Sequence, residues 1–408
     1  MKPVIAIVGG GAAGFFSAAI LAEQVEDYDI IIFERSDNVL QKVKVSGGGR
    51  CNVTHASNEP KELVKNYPRG NKELLGPFYS FDNHHTIEWF ENHGVVLKTE
   101  SDGRMFPSTD SSQTIINCLW NATINKGVFL KTRCGIHHFE YKDNQWLLAS
   151  DKGDFRADAL LIATGSSPQF WNLITKETNH TLVAPVPSLF TFNCKQTLLQ
   201  DLSGIAIQNA EIKISGSPFS AKGPVLITHW GLSGPAVLLL SAWGAVWLNA
   251  KDYTFDIEIN WKPGWTKDIA LEWLLDYKKA HPKKKLSTLT ELGLPGRFWQ
   301  NLLMFSVGKE ERLLADLPNS VLNKIAIALT ATALPIHGKS TFKDEFVTAG
   351  GIALNEIDFK TFQSKHHSGL FFAGEVLNID AITGGFNFQA AWTGGYLAAN
   401  GIMDYLSE

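Results

Sequence analysis

Cysteine is scarce and scattered. Only Cys51, Cys118, Cys134 and Cys194 occur, and no two form a Cys-x-x-Cys pair. A disulfide framework, a zinc knuckle and a dithiol redox motif are thereby excluded. An excess of charge of one sign is also lacking: 37 Lys and Arg against 41 Asp and Glu give a formal net charge of -4. Nothing in that balance points to nucleic acid or to an acidic tail. Long apolar runs are missing as well. Val4–Ala22 is apolar, but Gly9, Gly10, Gly11 and Gly14 interrupt it and only Lys2 charges its front. A buried strand, a tight turn and a helix explain it better than a signal peptide or an anchor. Gly234–Leu248 is too short for a comfortable membrane span of about 20 residues. The chain reads as soluble and cytoplasmic, with no membrane partner. The histidine pairs His84-His85, His137-His138 and His366-His367 lack ligand spacing such as His-x-x-x-His, so surface or capping roles are expected and no metal site. There is no internal repeat and no low-complexity linker.

What is present is a chain of 408 residues, 44% hydrophobic and 19% charged. That is enough for two or three packed domains. Residues 4–14 read VIAIVGGGAAG. Val4–Val8 is a continuous apolar run, the mark of a strand buried on both faces. Gly9-x-Gly11-x-x-Gly14 follows, then a helix-like segment, then a second apolar strand, Asp29–Phe33, that ends at Glu34, twenty positions beyond Gly14. Strand, glycine turn, helix, strand and acid are the context in which this glycine pattern becomes a dinucleotide fingerprint. Gly9 permits the tight turn, Gly11 the approach of a pyrophosphate, and Gly14 the close packing of helix on sheet. The helix N-terminus, with Ala12 and Ala13 in its first turn, offers N–H groups and partial positive charge to phosphates. Glu34 can accept bonds from both ribose hydroxyls and would repel a 2′-phosphate, which disfavours NADP at this site.

The fingerprint alone does not separate FAD from NAD. Residues 46–52 read SGGGRCN, glycines that allow close backbone approach, beside an arginine able to meet phosphate or flavin carbonyl oxygens. Residues 159–165, ALLIATG, form another buried strand entering a turn of small residues. Near the end, Gly369–Glu375 is a strand closing on glycine and acid, and TGGFNFQAA from Thr383 is a glycine turn opening a helix. No second strand, GxGxxG and helix is found, so a separate nicotinamide domain is not expected.

In that order these motifs resemble the glutathione-reductase-like FAD fold. More narrowly, SGGGRCNVT, GRMFPS, LITHWGLSGPAVLL, GGIALNEI, LFFAGEVLNID and TGGFNFQAAWTGG resemble the BaiN-like (YhiN) flavoprotein family of NAD(P)/FAD-dependent oxidoreductases. The likeness runs from near residue 4 to near residue 403. It implies an α/β fold: a Rossmann-like FAD-binding domain, with helices on the faces of a parallel sheet, interrupted by a β-barrel-like insert that carries a small helical subdomain. The FAD domain would comprise 1–187 and 340–408. The insert would be 188–339, β-rich over 188–262 and helical over 266–332, with helices Lys267–Ala280, Pro295–Val307 and Pro318–Thr330, two of them opening on proline.

The implied cofactor set follows from the resemblance. Gly9, Gly11, Ala12, Ala13, Gly14, Glu34, Arg35 and Cys134 would take the ADP half. Lys42, Ser46, Gly47, Gly48, Arg50, Cys51 and Asn52 would flank the pyrophosphate and flavin, with Ala163, Thr164 and Gly165 nearby. Gly374 and Glu375 would meet the ribityl chain. Gly385, Phe386, Asn387 and Phe388 would open a final helix aimed at the flavin ring. The cofactor is FAD, with NAD(P)H as transient reductant and a small molecule as substrate. Candidate catalytic residues are His229, as general acid or base, and Cys51, whose thiol Arg50 could activate. A histidine packed in a β-corner and a small buried residue are the structural alternatives. A flavin-holding sensor without turnover, and a flavoprotein acting on RNA through His281-Pro-Lys-Lys-Lys285, are the competing functions. That basic run more simply ends a helix and complements its dipole.

The chain departs from the family in three places. Ser166 and SPQFWNLITKETNH follow Ala163-Thr164-Gly165 where the family has glycine-rich sequence. His55 replaces the usual asparagine, and Asn378 the usual aspartate, with Asp380 close by.

Overall fold

The computed structural model describes residues 2–25, 27–57, 59–340 and 347–408. The chain divides into two compact units: Met1–Val186 with Lys343–Glu408, and Pro187–Phe342. Among the described residues no helix is long and apolar enough to cross a membrane.

The first unit is built on a parallel sheet. Its elements here are β1 (Val4–Val8), α1 (Ala12–Gln24), β2 (Asp29–Phe33), α2 (Gln41–Gly49), β3 (Phe129–Lys131), β4 (Ala159–Ile162), β5 (Leu370–Phe372) and α3 (Phe386–Ser407). The parallel order is β5-β4-β1-β2-β3, with two short antiparallel strands beyond β5. Central β1 carries Ile5 and Ile7 at 0% exposure, as a strand covered on both faces must. α1 is buried from Ala13 to Leu21 on every side, so its many small residues serve close packing rather than an amphipathic surface. Ser17 Oγ donates to the Gly395 carbonyl at 2.9 Å. A Cβ on Gly395 would lie 3.0 Å from the Ala13 carbonyl oxygen, so glycine is what lets α3 lie against α1. One consequence is that the N-terminal and C-terminal segments of the chain share one core.

The second unit has its own apolar core and a seven-stranded antiparallel sheet in the order Thr332–His337, Thr254–Asn260, Ala206–Ile214, Ser220–Ile227, Gly231–Ser233, Thr191–Asn193, Lys339–Ser340. The first and last strands of that order are joined through Gly338 alone, whose N–H donates to Tyr253 O and whose carbonyl accepts from Asn193 N. The sheet must therefore curl until its edges meet, which is the geometry of a barrel. Helices Lys267–Ala280, Gly296–Val307 and Asn319–Thr330 follow. Pro295 and Pro318 sit one position before the helices that they were expected to open, as the extended N-caps, where their missing N–H costs nothing. The β-rich half also holds two helices that no strand pattern foretold, Pro235–Trp243 and Ala245–Ala250. Apart from Ser241 and Asn249 they are apolar throughout, and periodicity cannot tell such a helix from a buried strand.

Candidate functional site

The loop after β1 meets three other parts of the first unit. Gly9, at φ 121°, donates its N–H to Phe33 O, and a Cβ there would come 2.3 Å from Ala163 O. The turn thus lies between the ends of β2 and β4. Gly14 would place a Cβ 2.1 Å from Gly9 O, so the helix can start there only because that atom is missing. Gly11 is different. A Cβ on it meets nothing within 4 Å. It caps α1 with no side-chain hydrogen bond, and no acid stands in the first turn. The first N–H groups of a helix have no partner within it. Here they face open space at Gly11, which is a cradle for an anion.

Glu34 closes one side. Its Oε2 accepts from Gly10 N at 2.9 Å and its Oε1 from Ser36 N at 2.8 Å. Oε1 also accepts from Ser36 Oγ at 2.9 Å. Of a carboxylate's roughly four lone-pair positions, one remains, enough for one ribose hydroxyl rather than both. Cys134 is buried beside it, its N–H on Glu34 O at 2.9 Å and its thiol on Ser150 Oγ at 3.3 Å. Arg35 is exposed. On the other side, Gly374 would bring a Cβ to 3.1 Å of Ala13 Cβ. Lys42 Nζ lies 2.9 Å from Ser166 Oγ and forms an ion pair with Glu375. Gly165, at φ 63°, lies beside the Glu375 carboxylate. Thr164 Oγ1 is buried without a hydrogen-bond partner. An orphaned hydroxyl and an uncapped helix next to an open glycine are what a pyrophosphate-bearing cofactor would satisfy. The residues present fit FAD.

The segment SGGGRCN is the irregular end of α2. Ser46 leaves helical geometry, and Gly47, Gly48 and Gly49 take φ of 57°, 68° and 85°. Arg50 lies over the Phe106 ring at 3.9 Å and binds Glu100 at 2.6 Å and Asp110 at 3.4 Å. Arg104 binds Glu100 at 2.9 Å and Asp102 at 2.8 Å. Arg50 is thus one member of a charged cluster, its guanidinium already held by carboxylates. Cys51 is fully buried at φ 63°, and burial pushes its thiol up to about 12. It is a thiol at neutral pH, so the structure removes it as a nucleophile; the neighbouring arginine's charge is spent on Glu100.

Asn52 reaches the start of α3. With its amide turned to suit its neighbours, it donates to Thr54 O and Met105 O and accepts from Gly385 N at 3.0 Å. Gly385, at φ 92°, would drive a Cβ to 2.5 Å of Thr54 O. Tyr67 donates to Phe386 O at 2.6 Å, and Thr54 Oγ1 to Gln389 Oε1 at 2.6 Å. Asn387 clasps Ala381, accepting from its N–H at 2.9 Å and donating to its carbonyl at 3.2 Å. Phe388 stacks on Trp392. Asp380, at 0% exposure, pairs with Arg69. Tyr67, Gln389 and Arg69 were not legible as site residues. Each acts across more than 300 positions, and no local pattern signals such a partner. α3 opens, like α1, with no side-chain cap and no acid in its first turn.

His229 belongs to the second unit, exposed in the turn between Ser220–Ile227 and Gly231–Ser233. It is not packed in a β-corner. The basic run is largely paired within that unit: Lys284 with Glu291 at 3.5 Å and Lys285 with Glu311 at 3.0 Å. Among the described residues no group of three or more His, Cys, Asp or Glu could hold a metal.

Comparison with known proteins gives the following. The ribosomal RNA dihydrouridine synthase of Escherichia coli is 26% identical over 97% of each chain. The 3-dehydro-bile acid delta(4,6)-reductase of Clostridium scindens is 24% identical over 97% of each. Among solved structures, the 3-ketosteroid-delta4-(5alpha)-dehydrogenase of Rhodococcus jostii in complex with 4-androstene-3,17-dione covers 98% of this chain and 96% of its own, at 13% identity and a TM-score of 0.52, which speaks for a shared fold. The HI0933-like protein Rossmann domain family matches residues 3–401. The chain belongs to the HI0933-like family, the group that its glycine and GRCNVT motifs resemble.

Proposed function

We propose that the chain is an FAD-dependent oxidoreductase that draws reducing equivalents from NAD(P)H and saturates a carbon–carbon double bond conjugated with a carbonyl. The observation that carries the cofactor is the pair of uncapped, acid-free helix openings, α1 beside the open Gly11 and α3 on its glycine turn. One suits a pyrophosphate, the other the electron-rich edge of a flavin ring. The names of the relatives support the reaction class: dihydrouridine is uridine with its ring double bond saturated, and a delta(4,6)-reductase acts on ring double bonds.

Bound FAD supplies the two-electron chemistry. The chain supplies place and charge. Glu34 holds the ribose end, and α1 neutralises phosphate. The tie between Lys42, Ser166 and Glu375 sets the ribityl side, where Glu375 can exchange the lysine for a hydroxyl. Saturating such an acceptor would require two electrons from NAD(P)H, a hydride equivalent at the carbon β to the carbonyl and a proton from solvent at the α-carbon. A small enone is the first substrate class to test. A uridine in RNA is the second reading, favoured by the names of two relatives that match nearly the whole chain.

An anaerobic absorbance titration tests this. Purified protein loaded with FAD should bleach on addition of NADH or NADPH and regain its colour with a cyclic enone. Failure to take up FAD sinks the proposal. Uptake without bleaching by either nucleotide removes NAD(P)H as reductant. Bleaching that only uridine-containing RNA reverses selects the second reading.

A further inference from the structure

His55 follows the Gly-Arg-Cys-Asn-Val-Thr motif and belongs neither to the cofactor set nor to the catalytic candidates. It ends the short strand Thr54–His55, opposite Arg104. Its Nδ1 lies 3.1 Å from the Gly384 carbonyl oxygen. A carbonyl only accepts, so Nδ1 carries the proton and donates. The ring stacks on Phe386 with centroids 4.6 Å apart and planes at 29°. Gly103 backs the far side, where a Cβ would come 2.5 Å from Nε2. A hydrogen bond, a stacked ring and a glycine wall therefore fix this imidazole. The bond and the stack both lead to the turn Gly384–Gly385 that opens α3. Glycines at φ 133° and 92° have no side chains to stiffen such a turn, so outside groups must do it.

We infer that His55 is a positioning residue for the reduction: it holds the Gly384–Gly385 turn and, with it, the N–H groups at the start of α3. The inference rests on the reading that FAD lies with its ring edge at that helix opening. A positive helix end held in place favours negative charge on the ring and raises its reduction potential. Protonation of the imidazole adds charge at the same spot. Asp102 and Arg104 are the charged groups that act on His55, the first favouring the protonated ring and the second opposing it; Gly384 and Phe386 bring none. Burial holds the ring below the ordinary histidine range, so the added charge comes on in acidic solution.

The test is the midpoint potential of the bound flavin, measured between pH 8 and pH 5 for the wild type, H55A and H55N, with bound FAD counted and melting recorded. All three should hold FAD. H55A should lower the potential by a tenfold change in the ratio of reduced to oxidised affinity, about 30 mV for a two-electron couple. H55N can still donate to Gly384 and should recover most of that at pH 8, yet lack the extra rise that the wild type shows toward pH 5. An FAD-loaded H55A with unchanged potential, or an H55N that keeps the wild-type rise, overturns the inference and leaves the flavin reading standing. A wild-type chain that binds no FAD overturns both. If H55A does not fold, the pH dependence of H55N decides by the same criterion.

Discussion

Gly11 and Gly14 stand three residues apart in one glycine pattern, and the structure gives them opposite jobs. At Gly11 the backbone is extended, φ −94° and ψ −167°, which any residue adopts, and a Cβ meets nothing within 4 Å. Gly11→Val should cost the FAD-free protein only the exchange of a helix N-cap, about 1 kcal/mol or less. The valine would instead fill the space that phosphate oxygens need at the first turn of α1. Two lost hydrogen bonds to charged oxygens, at about 1.5–3 kcal/mol each, would weaken FAD by about 3–6 kcal/mol, roughly 10²- to 10⁴-fold. At Gly14 the added Cβ would sit 2.1 Å from Gly9 O and 3.3 Å from Ile7 Cγ2. The oxygen belongs to the turn itself and cannot swing aside. Gly14→Ala should therefore cost at least the upper end of overpacking, about 3 kcal/mol, and lower the melting temperature by roughly 6–12 °C. Calorimetry of the stripped proteins and a fluorescence titration with FAD separate the two effects. Gly11→Val binding FAD within twofold of the wild type would refute the cradle, and Gly14→Ala melting with the wild type would refute the packing argument.

Three further outcomes follow from single side chains. Glu34→Ala should raise the FAD dissociation constant roughly 5- to 150-fold, the loss of a charged acceptor being about 1–3 kcal/mol; an unchanged constant places the ribose elsewhere. Cys51 should escape iodoacetamide at pH 8 in the native protein, because burial keeps it a thiol, and should label fully once unfolded; rapid native labelling found by mass spectrometry would contradict its burial. His180 is fully buried, and burial first, then the neighbouring His366 charge, pushes it down to about 4. Its Nδ1 lies 2.7 Å from Thr178 Oγ1 and its Nε2 2.9 Å from Ser364 Oγ. The unfolded chain binds the proton first, so stability should fall as pH drops from about 6.5 toward 4. A His180→Gln variant whose melting shows the same acid slope would assign that slope to other groups.

The glycine motif could be read because its reasons are local. Gly9, Gly11 and Gly14 answer to one turn, Glu34 to the end of the next strand, and the helix Lys267–Ala280 to its own period. Other parts depend on distant partners. Arg50 sits in a motif that suggests phosphate, yet Glu100, Asp110 and Phe106 claim its guanidinium. Cys51 beside an arginine looks like an activated thiol until burial is known. His366 is exposed and His367 half-buried, in keeping with a surface role, yet their rings lie 4.9 and 6.0 Å from that of buried His180, a neighbour that no local pattern signals. The helix Pro235–Trp243 is apolar at every position but Ser241, and nothing in its spacing marks it as helix rather than strand.

By itself the sequence determined the strand–turn–helix that begins the first unit, the acid that closes it, and the family, because glycine spacing and hydrophobic period are short-range properties of the chain. Only the tertiary structure decided that α3, almost 400 residues after β1, packs on α1 through Gly395, that Asn52, Tyr67 and His55 together hold its opening, and that Cys51 is inert. Those outcomes depend on which side chains lose water and which carboxylates arrive beside which cations. Burial and long-range pairing are properties of the folded whole, and no window of sequence contains them.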